Sequence, residues 1–157
     1  MSRSGEEAAR RLFEAEYARL RAWSTALAGD ATVGEDIAQE AFTRLLSRWT
    51  SVLEPRPFLY AVAANLLNDR WRQQQRRRSL LRLLARNAED VTPGPDGSVR
   101  DLISRLPDRQ RIAVLLHYYG GLTVREVADH LHKPEGTVRR WLVEARASLR
   151  AALEDAR

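Results

Sequence analysis

Apolar residues recur along this chain every three or four positions. Nowhere do they alternate with polar residues between Gly or Asn turns, so the pattern predicts helices and no strand. A first helix is expected from Glu6 to Ala28, with Phe13, Tyr17, Leu20, Trp23 and Leu27 on one stripe and Gly29 at its C-terminal end. Thr32 and Glu35 stand in capping-box spacing and predict the start of a second helix, whose buried side is Ile37, Ala41, Phe42, Leu45 and Trp49. A break follows at Thr50–Pro57. Pro57 suits a first helical turn, and a third helix is expected from about Phe58 with Phe58, Val62 and Leu66 as core.

Beyond Asp69 this helix turns polar and basic, and Leu80, Leu81, Leu83 and Leu84 then form a short apolar patch. Asn87–Ser98, containing VTPGPDGS, reads as a linker. After it come Val99, Leu102, Ile103 and Leu106, then a helix opened by Pro107 that carries Ile112, Leu115, Leu116 and Tyr119 and ends at Gly120-Gly121. Thr123 and Glu126 form a second capping-box pattern before a short helix with Val127, Ala128 and Leu131. A tight turn at His132–Lys133 follows, and Pro134 opens a last helix with Val138, Leu142, Ala145 and Leu149 inside. The fold class expected is all-α: two small helical domains, 6–86 and 99–154, joined by a flexible linker at 87–98.

Composition sharpens this picture in two places. Cysteine is absent, which excludes disulfide scaffolds and thiolate metal sites. The charged N-terminus, MSRSGEEAARR, has no apolar signal core, and no apolar run approaches the ~18 residues of a membrane span. The protein is therefore expected to be soluble and cytoplasmic, without membrane insertion. The net charge of +5 is unevenly placed. Residues 1–69 carry a net −2 and residues 87–157 a net 0, whereas 70–86 hold seven arginines and no acid. Such a stretch is the electrostatic footprint expected on a polyanion. Lys133 is the only lysine; codon usage in a GC-rich genome and the bidentate phosphate grip of arginine both account for that preference.

Two segments carry candidate chemistry. Thr123–Leu149 has helix-turn-helix logic: a short bracing helix, the small Ala128 at the close approach, and Val127, Leu131, Val138 and Leu142 to seal the angle. Its last helix offers Glu135, Thr137, Arg139, Arg140 and Val143 near the N-terminus, the part that enters a major groove. There arginine can bind guanine O6 and N7 or hold phosphate. A plain helical hairpin with a solvated arginine face has the same pattern. The run Arg70–Arg86 with Trp71 would track a phosphate backbone and stack on unpaired bases. An exposed basic helix or a membrane-surface helix also fits it.

Taken together, these segments resemble the extracytoplasmic-function sigma factors, the smallest members of the sigma-70 family. Asp36-Ile-Ala-Gln-Glu-Ala-Phe42 resembles the region 2 helix that grips the β′ clamp helices of RNA polymerase. Phe58-Leu-Tyr, Ala63-Ala-Asn65 and Asp69-Arg70 resemble the segment that reads the downstream promoter element. Leu106-Pro107 through Gly120-Gly121, Thr123–Leu131 and Gly136-Thr137-Val138-Arg139 resemble the region 4 helix-turn-helix. The resemblance runs from about Leu12 to Leu153.

It implies a polymerase-binding set of Asp36, Gln39, Glu40 and Phe42. It implies a −10 element and single-strand set of Ser51, Asn65, Asp69, Arg70, Trp71, Arg72, Arg76 and Arg77, with the loop Ser51–Arg56 capturing a flipped-out base. For the −35 element it implies Lys133, Thr137, Arg139, Arg140 and Val143. The partners implied are core RNA polymerase, through the β′ clamp helices and the β-flap, and promoter DNA, which would make the protein nucleoid-associated when bound to polymerase. An anti-sigma factor is a further candidate partner. The chain departs from the family pattern at Phe58, where Trp is common, at His132, where a turn Gly is usual, and at Trp141 and Glu144, where Arg is frequent. His132 is expected at positive φ and Trp141 in the apolar stripe.

No cofactor or metal is expected. His130 and His132 leave a helix in different directions, Asp36 and Glu40 lack inward histidine partners, and no Gly-rich phosphate loop or nucleophile elbow occurs. An enzyme is therefore not expected. The rival readings are a self-sufficient helix-turn-helix regulator, which leaves the Asp36–Phe42 helix and the arginine run without a role, and a basic adaptor for RNA or anionic lipid.

Overall fold

The computed structural model describes residues 1–84 and 99–155; among them there is no strand. The expected linker at 87–98 lies outside the described residues. Ser2 caps α1 (Arg3–Ala28), its hydroxyl accepting a hydrogen bond from the Gly5 amide at 3.2 Å, so the helix starts ahead of its apolar stripe. Gly29 ends it at φ 73°, with its amide on the Thr25 carbonyl at 2.8 Å.

The cap of α2 (Ala31–Ser47) corrects the sequence expectation. Asp30, rather than a Thr32–Glu35 box, accepts from the amides of Thr32 (2.8 Å) and Val33 (3.1 Å). An aspartate caps at least as well as a threonine and adds its charge to the positive end of the helix dipole. Gly34, four residues after the cap, is buried where α2 meets α1; a Cβ there would lie 2.1 Å from Thr25 Oγ1 and 2.5 Å from the Thr25 backbone nitrogen.

Helix α3 (Pro55–Leu84) begins three residues earlier than expected, with both Pro55 and Pro57 in its first turn, where a missing amide costs nothing. Leu59 through Ala64 are all buried, so this part is not a one-sided amphipathic helix. Helices α1 and α2 cover one side, while α5 and the turn after it cover another. Of the three core residues expected here Val62 is buried, but Phe58 and Leu66 are only half-buried. After Trp71 the helix is exposed to its end.

The second half comprises α4 (Val99–Ser104), α5 (Asp108–Val114), a π-helical turn (Leu115–Tyr119), α6 (Val124–Leu131) and α7 (Glu135–Asp155). The sequence suggested one regular helix up to Tyr119. Instead the Gly120 amide reaches back five residues to the Leu115 carbonyl at 2.8 Å, and Tyr119 is left partly exposed. Thr123 and Glu126 close the capping box of α6 at 3.1 and 3.0 Å. His132 ends α6 at φ 54°, the only positive-φ residue other than glycine among the described residues. Val127, Ala128, Val138 and Leu142 fill the angle between α6 and α7, and Trp141 is buried beside them. The chain thus forms two helical units, α1–α3 and α4–α7, which meet along α3.

Candidate nucleic-acid interface

Burying Val138, Trp141, Leu142 and Ala145 turns the opposite side of α7 to solvent. Arg139, Arg140 and Val143 stand there exposed, with Thr137 half-buried and Lys133 exposed in the preceding turn. Each arginine rests against a carboxylate of its own helix. Arg139 pairs with Glu135 at 3.0 Å and Arg140 with Glu144 at 3.7 Å. Such exposed pairs contribute about 0–1 kcal/mol, so phosphate or guanine can displace them readily. Glu144 also accepts a hydrogen bond from Gln110 Nε2 at 3.0 Å, which ties α7 to α5.

The basic row on α3 divides in two. Arg76 and Arg77 are exposed, as are Asn65 and Asp69. The remaining members face the second half. Arg72 pairs with Asp108 at 2.5 Å and with Asp69 at 3.7 Å. Arg70 lines a cavity of about 900 Å³ between the units with Arg78, Arg82, Arg100 and Arg105. Its Nε is buried and meets no hydrogen-bond acceptor among the described residues. Trp71 is 5% exposed, so the indole that the sequence offers for base stacking is covered in this arrangement.

What covers Trp71 is a charge. Arg111 is fully buried, its guanidinium 5.6 Å from the centre of the Trp71 ring. Taking an ion out of water costs several kcal/mol unless every donor is satisfied. Here Nε donates to Asn68 Oδ1 at 2.5 Å, Nη1 to the Ser104 carbonyl at 2.6 Å, and Nη2 to the Asp108 carboxylate. Burial lowers the pKa of this guanidinium from its ordinary value and the Asp108 charge opposes the shift; Arg72 nearby adds to it. Gln75 Nε2 donates to the Ser104 carbonyl at 2.7 Å. At the other end of the seam Arg56 reaches the Gly120 carbonyl at 3.3 Å while paired with Glu16 at 3.2 Å. Tyr60 also donates to Glu16, and burial together with that carboxylate raises its pKa.

On α2, Asp36, Gln39 and Glu40 lie exposed on neighbouring turns, with Gln39 near Glu35 (3.4 Å) and Glu40 bonded to Arg44 (2.8 Å). Phe42 is not presented with them. It is 4% exposed, with its ring against Phe13 (5.2 Å) and Tyr17 (5.8 Å), so it supports this face from below. Ser51 is exposed and donates to the Arg48 carbonyl at 3.0 Å. Two residues on, Leu53 is 97% exposed. Sequence reasoning passed over Leu53, Asn68, Gln75 and Arg111. For Arg111 a signal exists: it stands four residues before Leu115, a charge on a buried stripe.

Comparison with known proteins places both units. A family model described as sigma-70 region 2 matches residues 12–77, and one described as sigma-70, region 4 matches residues 96–149. The probable RNA polymerase sigma factor RfaY of Xanthomonas campestris is 31% identical over 150 residues, 85% of this chain; the chain spans 37% of that relative's length. The ferric citrate uptake sigma factor FecI of Escherichia coli is 28% identical, covering 85% of this chain and 84% of that protein. The ECF RNA polymerase sigma factor SigW of Bacillus subtilis is 31% identical, covering 81% and 79%. Among solved structures, the sigma factor RpoE in complex with the anti-sigma factor NepR from Bartonella quintana aligns over 94% of this chain and 98% of that one. Its TM-score is 0.61 and its identity 19%, a likeness of fold. Among the described residues no helix is long and apolar enough to cross a membrane.

Proposed function

The chain belongs to the extracytoplasmic-function sigma factors of the sigma-70 family, transcription initiation factors rather than enzymes, and on that footing we propose that it delivers core RNA polymerase to promoters with two separated DNA elements and assists strand opening there. The first domain, 6–86, docks through Asp36, Gln39 and Glu40, with Phe42 beneath them, on the β′ clamp helices. The second, 99–154, engages the β-flap and reads the upstream −35 element as duplex, with Arg139 and Arg140 on base edges and Lys133, Thr137 and Val143 beside them. The melted −10 element is held as a single strand by Asn65, Asp69, Arg70, Trp71, Arg72, Arg76 and Arg77 on α3 and by the loop containing Ser51. Leu53, bare at the tip of that loop, is placed to lie against an unstacked base. The protein acts in the cytoplasm, associates with the nucleoid when bound to polymerase, and accepts an anti-sigma factor as a further partner.

The observation that carries this reading is the order of three surfaces in one chain: an acidic exposed α2, an arginine-bearing α3 extension, and a helix-turn-helix whose arginines face solvent. A self-sufficient regulator has no use for the first two. Replacing Arg139 and Arg140 with Ala should lower discrimination for the upstream element by roughly 5- to 100-fold for each bidentate pair removed, with polymerase association unchanged. Replacing Asp36 and Gln39 should weaken polymerase association and leave DNA discrimination intact. If the protein never co-elutes with core polymerase on a sizing column, the proposal fails.

A further inference from the structure

We propose that the cavity bounded by α1, α3 and α4 is a binding site for a linear oligophosphate, gripped by the guanidinium groups of Arg70, Arg78, Arg82 and Arg105. Of these four only Arg70 belongs to the set assigned to the melted promoter element, so the site goes beyond the promoter reading.

Packing holds the walls of this cavity. Leu67 and Trp71 on α3 share one continuous apolar core with Ile103, Leu106 and Ile112 of the second unit. Beside that core the cavity collects five arginines, Arg70, Arg78, Arg82, Arg100 and Arg105, against two aspartates, Asp30 and Asp101. Both aspartates are engaged. Asp30 accepts the Thr32 and Val33 amides as the cap of α2, and Asp101 pairs with Arg105 at 3.2 Å. Arg78 and Arg82 are exposed and have no ion pair among the described residues. Cations gathered around one concavity focus a positive potential into it and draw an anion there. The buried Nε of Arg70, which meets no acceptor among the described residues, is a donor that a phosphate oxygen would satisfy.

Spacing and lining define the ligand class. Arg70 and Arg82 lie on one helix, about 18 Å apart along its axis. That row is too long for a single phosphate to serve fully and suits several phosphates in line. Each guanidinium fork can take two phosphate oxygens at once. Gln74 and Ser79 on the same wall add neutral donors. Trp71 is 5% exposed, and Ala28 and Gly29 are the other apolar lining residues, so the cavity offers no face for a nucleobase or a large apolar side chain. A volume of about 900 Å³ leaves room for a chain of phosphates.

The test titrates the full chain with sodium tripolyphosphate by calorimetry, without divalent cation. Salt is set at about 0.15 M, where a Debye length of about 8 Å mutes distant charges. One tripolyphosphate should bind per chain, saturably below about 1 mM, and inorganic phosphate should bind at least tenfold more weakly, a difference of roughly 1.4 kcal/mol. Arg78→Gln with Arg82→Gln removes two guanidinium groups that are exposed, so the fold is kept. This variant should lose tripolyphosphate affinity by roughly tenfold or more. Arg76→Gln with Arg77→Gln removes the same charge from the same helix outside the cavity and should lose no more than about threefold. Adenosine triphosphate should bind no more tightly than tripolyphosphate, because the cavity recognises phosphates alone.

No binding of tripolyphosphate, or equal losses in the two double variants, overturns the inference, the second because it reduces the effect to net charge. Nucleotide binding tenfold tighter than tripolyphosphate overturns the phosphate-only recognition. A mixed-sequence single strand of roughly 12 nucleotides serves as the remaining probe: if the Arg78 and Arg82 variant loses as much affinity for it as for tripolyphosphate, the cavity belongs to nucleic acid and the inference fails.

Discussion

Glu144 on α7 restrains Arg140, and replacing it with Gln isolates that restraint. The carboxylate lies 3.7 Å from Arg140 Nε, with both side chains about half exposed or more. At that separation the Coulomb attraction in water is about 1 kcal/mol, and an exposed pair returns less than that in stability. The hydrogen bond from Gln110 Nε2 to Glu144, 3.0 Å long, survives the change because an amide oxygen accepts it equally well. The variant should therefore melt within about 1–2 °C of the parent. On DNA the consequence is larger. Removing one negative charge from the DNA-facing side of α7 raises the net positive charge set against the DNA by one, steepening the salt dependence of log affinity by up to ~0.9. Upstream-element affinity should rise about two- to fivefold at moderate salt, equivalent to roughly 0.5–1 kcal/mol. Fluorescence anisotropy of a labelled promoter duplex with the polymerase-bound protein, across a salt series, measures both. A folded variant whose affinity and slope match the parent's would refute the placement of Arg140 against the DNA. A weaker variant would show that Glu144 itself reads a base.

Gly34→Ala should destabilise the protein by roughly 2 kcal/mol or more, because its Cβ would meet the Thr25 backbone rather than a movable side-chain tip; Gly136→Ala, with nothing within 4 Å of the added carbon, should stabilise it by up to ~1 kcal/mol. Urea denaturation followed by circular dichroism reads both, and a shared sign would contradict the packing argument. His132→Gly should raise stability by about 1 kcal/mol, since φ 54° is unfavourable for a residue with a Cβ; the same denaturation curves check it. Burial lowers the pKa of His130 beyond what Glu126 and Asp129 restore. The unfolded chain therefore takes up the proton first, and stability that is full above the unfolded value of about 6.5 declines as pH falls through it; His130→Gln should flatten the melting temperature between about pH 7.5 and 5.5.

Much of the architecture was legible because local rules act within a few residues. Period-3.6 stripes located the helices, the Thr123–Glu126 box located α6, and a non-glycine residue at the tight turn pointed to His132 at positive φ. Trp141 in the apolar stripe was readable for the same reason. The failures have a different origin. Thr32 and Asp30 both offer a capping oxygen within two residues, and spacing alone does not say which one takes the amides. A tryptophan inside a basic run looks like a stacking platform until another helix is laid over it. Arg111 meets Asn68 across 43 residues, and no periodicity encodes such a pair. The role proposed for Asp36 rests on family resemblance alone, whereas the roles proposed for Arg139 and Arg140 rest also on the helix-turn-helix pattern; the exposed side chains themselves carry no mark of what they touch.

The π-helical turn at Leu115–Tyr119 holds one residue more than an α-helical path would need. Each α-helical residue turns the chain by about 100°. Excising a single residue there would relax the wide turn into ordinary spiral and swivel everything downstream by roughly a quarter revolution or more. The bearing of α7 is thus counted out in backbone units rather than negotiated by side chains.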